Sequence, residues 1–275
     1  MTETIVIANQ KGGVGKTTTA INLSAGLASS GFPTLIIDTD PQGNATSGLG
    51  FDKTAFNPNI YNVVVELMPL EKTIKETTLP NLSMVGANSD LLGSEIALAT
   101  AIGRESRLRG ALSSIKERYR FVVIDCPPSL GILTINALNA ADKVIIPIQG
   151  EYYALEGLAQ FVEAVNRVHD TLNPRLALEG GLLTMFDPRM LLSNQVKEEV
   201  SKFFGATLFN TVIPRNIRLA EAPGFGQPIM QYDPKSRGSQ AYVALAQEFL
   251  ARRAILPQTS GRQTQPEPQP LESEL

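Results

Sequence analysis

Lys11-Gly12-Gly13-Val14-Gly15-Lys16-Thr17-Thr18 is the stretch on which the fold turns. Ahead of it, residues 4–8 (TIVIA) form a short β-branched run. Behind it, residues 17–29 place Ala20, Leu23, Leu27 and Ala28 at helical spacing, with Gly31 as a stop. Strand, glycine loop and helix in that order is the context a phosphate-binding loop requires. Glycines permit positive φ and close backbone approach, so successive N–H groups turn inward toward phosphate oxygens, and the helix adds the positive end of its dipole. Lys16 is spaced to reach the β- and γ-phosphates of a nucleotide and Thr17 to place its hydroxyl on Mg²⁺. Gly12, Gly13, Val14, Gly15 and Thr18 complete the cradle. The usual G-x-x-x-x-G-K-[ST] spacing puts its first glycine at position 10. Here that residue is Gln10, and a second lysine, Lys11, follows it.

Further apolar runs lie at 34–38 (TLIID), 82–85, 121–125 (FVVID), 144–148 (VIIPI), 182–185 and 207–213, with helical spacing between them. Near-continuous Val/Ile/Leu runs mark strands covered by helices on both faces, so the expected fold is α/β, a doubly wound, mostly parallel sheet flanked by helices. No repeat or linker interrupts residues 1–256, which are read as one domain. Residues 257–275, rich in Pro, Gln and Glu, are expected to be a disordered tail.

The 275 residues are 43% hydrophobic and 19% charged, an ordinary globular composition. One cysteine, Cys126, and one histidine, His169, leave no internal disulfide and no Cys/His zinc site. Cys126 reads as a small core hydrophobe. The net charge of −3 excludes a globally cationic nucleic-acid binder and restricts any such site to a local patch. No apolar stretch is long enough to span a bilayer and no export signal is visible, so the expectation is a cytoplasmic protein.

Asp38, Asp40 and Asp125 stand at strand ends, where ligands of open α/β sheets gather, and are expected to converge near the loop. The KGGVGKTT arrangement, with DTDPQGNATSGLG, VVIDCPPSLG and TVIPRNIRLAEAPGFGQPI, resembles the deviant Walker A ATPases of the ParA/MinD superfamily, and within it the ParA/Soj partitioning proteins. The resemblance runs from residue 4 to about residue 250. It implies an ATP- and Mg²⁺-dependent ATPase that dimerises on ATP, with Lys11 reaching the partner's phosphates, Asp40 positioning the attacking water, and Thr17 with Asp125 serving the metal. It also implies that Pro214 and Asn216 border the adenine, that Arg189 and Arg218 contact DNA without sequence preference, and that the centromere-binding protein ParB stimulates hydrolysis. Lys197, Lys202, Arg215, Lys235 and Arg237 are weaker DNA-contact candidates. The place of action is then the nucleoid.

Two other readings stand beside this one. A MinD-like membrane-surface or cargo-positioning switch would use the amphipathic segment 239–256, although an acidic, proline-rich tail follows it. A metabolic ligase or iron-sulfur reductase of related architecture is the other. A single cysteine per chain defeats a bridging cluster that needs two thiolates from each subunit.

Overall fold

The computed structural model describes residues 1–150 and 154–256; the tail read at 257–275 lies outside the described residues. Among the described residues seven strands form one sheet: β1 (Glu3–Ile7), β2 (Thr34–Asp38), β3 (Ile74–Glu76), β4 (Leu82–Val85), β5 (Phe121–Asp125), β6 (Lys143–Gln149) and β7 (Ala177–Thr184). Their order is β3-β4-β2-β5-β1-β6-β7, and every pairing is parallel except that of β3 with β4. The longer helices are α1 (Lys16–Ser29), α2 (Ile132–Ala140), α3 (Ala154–Thr171), α4 (Leu191–Phe204) and α5 (Arg237–Ala251).

Strand alternation sorts the core into two layers. Ile5, Ile7, Ile36, Phe121 and Val123 enter the layer shared with α1 and α5, whereas Val6, Leu35, Ile37, Val122 and Ile124 enter the layer beneath α2 and α3. Both faces are therefore dry, which is why these strands read as unbroken apolar runs. Helix α5 buries Tyr242, Leu245, Phe249 and Leu250 against α1, where a Cβ at Gly26 would stand 2.7 Å from that of Ala246. Its apolar side therefore belongs to the core and is not available to a membrane surface.

One expectation fails locally and one boundary moves. Residues 207–213 are not a strand: Phe209 and Ile213 donate to the β7 carbonyls of Gly181 and Leu183, but the N–H groups of Asn210 and Thr211 go to the Glu248 carboxylate on α5, each at 2.8 Å. A side chain takes the amides that a ladder would need. The run expected at 182–185 belongs to a longer strand that stops at Thr184, because Met185 adopts φ 50° and turns the chain out of the sheet.

Candidate nucleotide site

β1 runs directly into the glycine loop. Gly13 and Gly15 take φ values of 73° and 86°, which side-chain-bearing residues rarely adopt, and Gly15 caps α1 without help from any side chain. The N–H groups opening α1 have no acidic residue in the first turn to meet them, leaving them for an anion. Two clamps fix the loop to the sheet. Asn9 donates to the Pro147 carbonyl at 2.8 Å and accepts the Lys11 N–H at 3.0 Å; the Thr184 hydroxyl donates to the Val14 carbonyl at 2.8 Å. Neither Asn9 nor Thr184 was singled out from the sequence. Asn9, a short amide directly after an apolar strand, carried the only local signal, that of an Asx turn.

The carboxylates converge as the strand-end rule requires. Asp38 and Asp125 are register partners at the ends of β2 and β5, and both are fully buried. Asp38 accepts the Thr46 hydroxyl at 2.8 Å, the Thr46 N–H at 2.9 Å and the Asp40 N–H at 3.0 Å. Burial nevertheless pushes its pKa up to about 6. It organises the loop that carries Asp40, whose own carboxylate accepts the Gln42 N–H at 2.9 Å.

Asp125 differs from its neighbour. Burial first and the Asp38 charge second hold its carboxyl well above the ordinary range, and the nearby Thr17 hydroxyl and Lys16 ammonium oppose that rise. Even so, the Thr17 hydroxyl is not placed for a hydrogen bond of ordinary geometry, and neither carboxylate oxygen has another partner. A carboxylate kept from water with nothing donating to it calls for a cation. Among the described residues no cluster of three or more His, Cys, Asp or Glu forms a metal cage. Asp125 beside Thr17 thus fits magnesium shared with phosphates and water, the manner in which that ion is usually held.

Lys16 is buried, and its ammonium donates to the Lys11 carbonyl at 2.8 Å. Burial lowers its pKa, and the charges of Asp125 and Asp40 resist the fall. Around it opens a cavity of ≈ 670 Å³ walled by Gly12, Gly13, Gly15, Lys16, Thr17, Thr18, Asp40, Pro214 and Asn216, together with Met185 and Arg215. Most of the expected nucleotide residues therefore share one opening. Val14 is 1% exposed and points into the protein, anchoring the loop. Lys11 lies beside the opening, not in its wall.

Arg189 lies outside the cavity on an exposed turn, and Arg218 lies outside it on the exposed short helix Ile217–Glu221, whose first N–H groups Asn216 caps. The two segments adjoin, because Phe186 bridges Pro214 and the Arg215 N–H donates to the Phe186 carbonyl at 3.2 Å. Lys197 stands over the Phe186 ring at 5.7 Å. Lys202 is paired with Glu199, and Lys235 and Arg237 are exposed before and at the start of α5.

The family described as AAA domain matches residues 2–178. The sporulation initiation inhibitor protein Soj of Bacillus subtilis is 53% identical over 251 residues, 91% of this chain and 99% of its own length. The chromosome partitioning protein ParA of Myxococcus xanthus is 51% identical over 248 residues, 90% of this chain and 88% of its own. The chain belongs to the ParA/Soj family of partitioning ATPases. Among solved structures, a cobyrinic acid a,c-diamide synthase from Mycobacterium smegmatis with bound ADP and magnesium superposes with a TM-score of 0.82 at 34% identity, covering 94% of this chain and all of that one. Like its relatives, this ParA/Soj-family member is an ATPase, and the glycine loop with its three strand-end carboxylates is the part of it suited to phosphoryl transfer.

Proposed function

We propose that this ATPase is an ATP-switched partitioning protein: two copies close face to face on ATP, the dimer holds DNA without regard to sequence, and hydrolysis, stimulated by a ParB-type protein, releases it. The observation that carries this reading is the segment 214–218. Pro214 and Asn216 line the cavity, while Arg218, two residues on, is exposed outside it. One short stretch thus touches both the nucleotide opening and the surface proposed for DNA.

In this reading Lys16 transfers its ammonium from the Lys11 carbonyl to the β- and γ-phosphate oxygens, and the N–H groups of residues 12–18 receive the remaining phosphate charge. Thr17 and Asp125 hold magnesium, which when bound neutralises charge on those oxygens. Pro214 and Asn216 border the adenine. Asp40 orients a water and accepts its proton as the water oxygen bonds to the γ-phosphorus and the bond to the β–γ bridging oxygen breaks. Lys11 stabilises that charge from across the dimer, as an arginine finger does in trans. Arg189 and Arg218, with Arg215 and Lys197 beside them, contact DNA phosphates, and dimerisation doubles the patch on a protein whose net charge is −3. Residues 1–256 act as one unit, working on the nucleoid in the cytoplasm.

The test is binding to random-sequence duplex DNA with ATP, with ADP, and with Asp40→Ala plus ATP, across a salt series. Binding confined to the ATP states, tightest and longest-lived in Asp40→Ala, with hydrolysis lowered about 10²–10⁴-fold, is the expected result. Rapid turnover in Asp40→Ala removes that residue from the reaction. Absence of DNA binding in every state, with hydrolysis intact, overturns the DNA reading and shifts the weight to an ATP switch that positions another cargo.

A further inference from the structure

The two arginines proposed for DNA are already engaged by acceptors that imitate a phosphate. Arg189 makes a two-pronged contact with Asp187, Nε at 2.9 Å from Oδ1 and an outer nitrogen at 2.7 Å from Oδ2. Arg218 meets Glu221 at 2.8 Å and Asp233 at 3.4 Å, and the Tyr232 hydroxyl donates to the same Glu221 oxygen at 3.1 Å. Two planar oxygens facing a guanidinium fork reproduce the geometry in which arginine receives a phosphate. The positions differ in exposure: the Arg189 side chain is 87% exposed, whereas its Asp187 partner is 19% exposed. Asp187 is also tied into its turn by accepting the Arg189 N–H at 3.1 Å, and the Arg215 charge acts on it as well. The acid is thus the fixed member of the pair and the arginine the mobile one.

We propose that Asp187, with Glu221 and Asp233, are resident competitors for the DNA phosphates, which set the DNA affinity of this protein and keep its arginines occupied until a dimer presents two such surfaces at once. The inference rests on the DNA-binding reading above. Each arginine must leave its carboxylate to reach a phosphate, so every contact is weakened by the strength of the pair it breaks. An exposed pair of this kind accounts for up to about fivefold, and two copies in a dimer for up to about 25-fold. A single weakly held protomer then has little DNA affinity, and release after hydrolysis is assisted by carboxylates waiting beside each arginine.

Asp187→Asn keeps the oxygen that accepts the Arg189 N–H and removes the charge, so the turn survives; thermal melting checks this. DNA binding in ATP is measured for the unsubstituted protein, Asp187→Asn, Glu221→Gln, Arg189→Ala, Asp187→Asn/Arg189→Ala, and Glu117→Gln as an equal change of charge away from both arginines. The expected result is that Asp187→Asn binds about 3–20-fold more tightly, that Glu221→Gln shifts the same way, and that the Asp187→Asn gain disappears when Arg189 is Ala. Weaker binding by Asp187→Asn overturns the proposal and makes Asp187 a residue that positions Arg189 for the phosphate. A gain no larger than that of Glu117→Gln, or one that persists without Arg189, overturns it in favour of net charge alone. In all these outcomes Arg189→Ala still weakens binding, so the DNA reading survives. No DNA binding by the unsubstituted protein, or no loss in Arg189→Ala, overturns that reading and the inference with it.

Discussion

The glycine-loop site and the arginine-bearing segments treat charge in opposite ways. At the loop, Asp38 and Asp125 are buried at strand ends and Lys16 at the start of α1, and Asp125 has no hydrogen bond of ordinary geometry. At residues 187–189 and 218–233 the arginines are exposed and each already holds a half-buried carboxylate. Buried charges carry a large desolvation cost that a ligand can relieve, so such a site responds strongly to what binds there. Exposed pairs exchange partners at little cost, which suits contacts made and broken on a polyanion. The molecule thus separates a stiff chemical centre from a yielding surface. Substitutions in the two regions should differ in size accordingly.

The largest effect is expected at Lys16. Lys16→Ala removes the cation from the cavity floor, and hydrolysis should fall by at least about 10²–10³-fold, with ATP binding weakened as well. Steady-state turnover and equilibrium binding of a fluorescent ATP analogue measure the two. Normal turnover with tight binding would remove Lys16 from the centre and erase the contrast between the regions.

Gly12→Val probes what the loop faces. Unlike Gly13 and Gly15, Gly12 has no positive φ, and a Cβ there would make only an ordinary 3.8 Å contact with Pro128. The protomer tolerates the side chain, so thermal stability should change by less than about 0.5 kcal/mol. Dimer closure on ATP should nevertheless be lost, since crowding of about 1–3 kcal/mol recurs at both copies. Light scattering in ATP reads this, and intact ATP-driven dimers in Gly12→Val would show that no partner surface approaches the loop.

Arg189→Ala and Arg218→Ala address the yielding region. On the proposed reading each removes two phosphate contacts per dimer, so the slope of log affinity against log salt should shrink by about 1.8, with hydrolysis without DNA little changed. An unaltered slope would mean that the arginine stays with its carboxylate in the complex.

This contrast also governs how much the sequence disclosed. The loop was legible because glycines and a lysine at fixed spacing dictate backbone geometry directly, and Gly13 and Gly15 take up the positive φ that their type permits. The sheet was legible because strands dry on both faces read as apolar runs. Three-residue β3 escaped, being too short for any pattern to register. Residues 207–213 misled because apolar content does not reveal that Glu248, some 37 positions away, takes two of their amides. The partners of Arg218 escaped in part for the same reason: Asp233 joins it only through the fold. Local covalent logic is written in the sequence, whereas long-range hydrogen-bond ownership is not.

The smallest effect is the most direct measure of the cost stored at the centre. A carboxyl whose folded pKa is raised contributes stability that is full below its unfolded pKa and is lost as pH rises through the folded value. Asp38, at about 6 against an ordinary 3.8, and Asp125, raised further by burial and by Asp38, both have this sign. Without nucleotide or magnesium the protein should lose stability as pH rises from about 4 through 6 and beyond. Asp125→Asn removes the unpartnered charge and its repulsion of Asp38. It should flatten that decline and raise stability at pH 7 by about 1 kcal/mol, or about 2–4 °C in melting temperature. Unfolding at pH 5 and pH 7, repeated with ADP and magnesium, tests it. The order should reverse with ligand, since the unsubstituted protein gains a cation where Asp125→Asn has none to gain. Equal stabilisation of both by ADP and magnesium would show that the metal is held elsewhere and that the burial of Asp125 serves the fold alone.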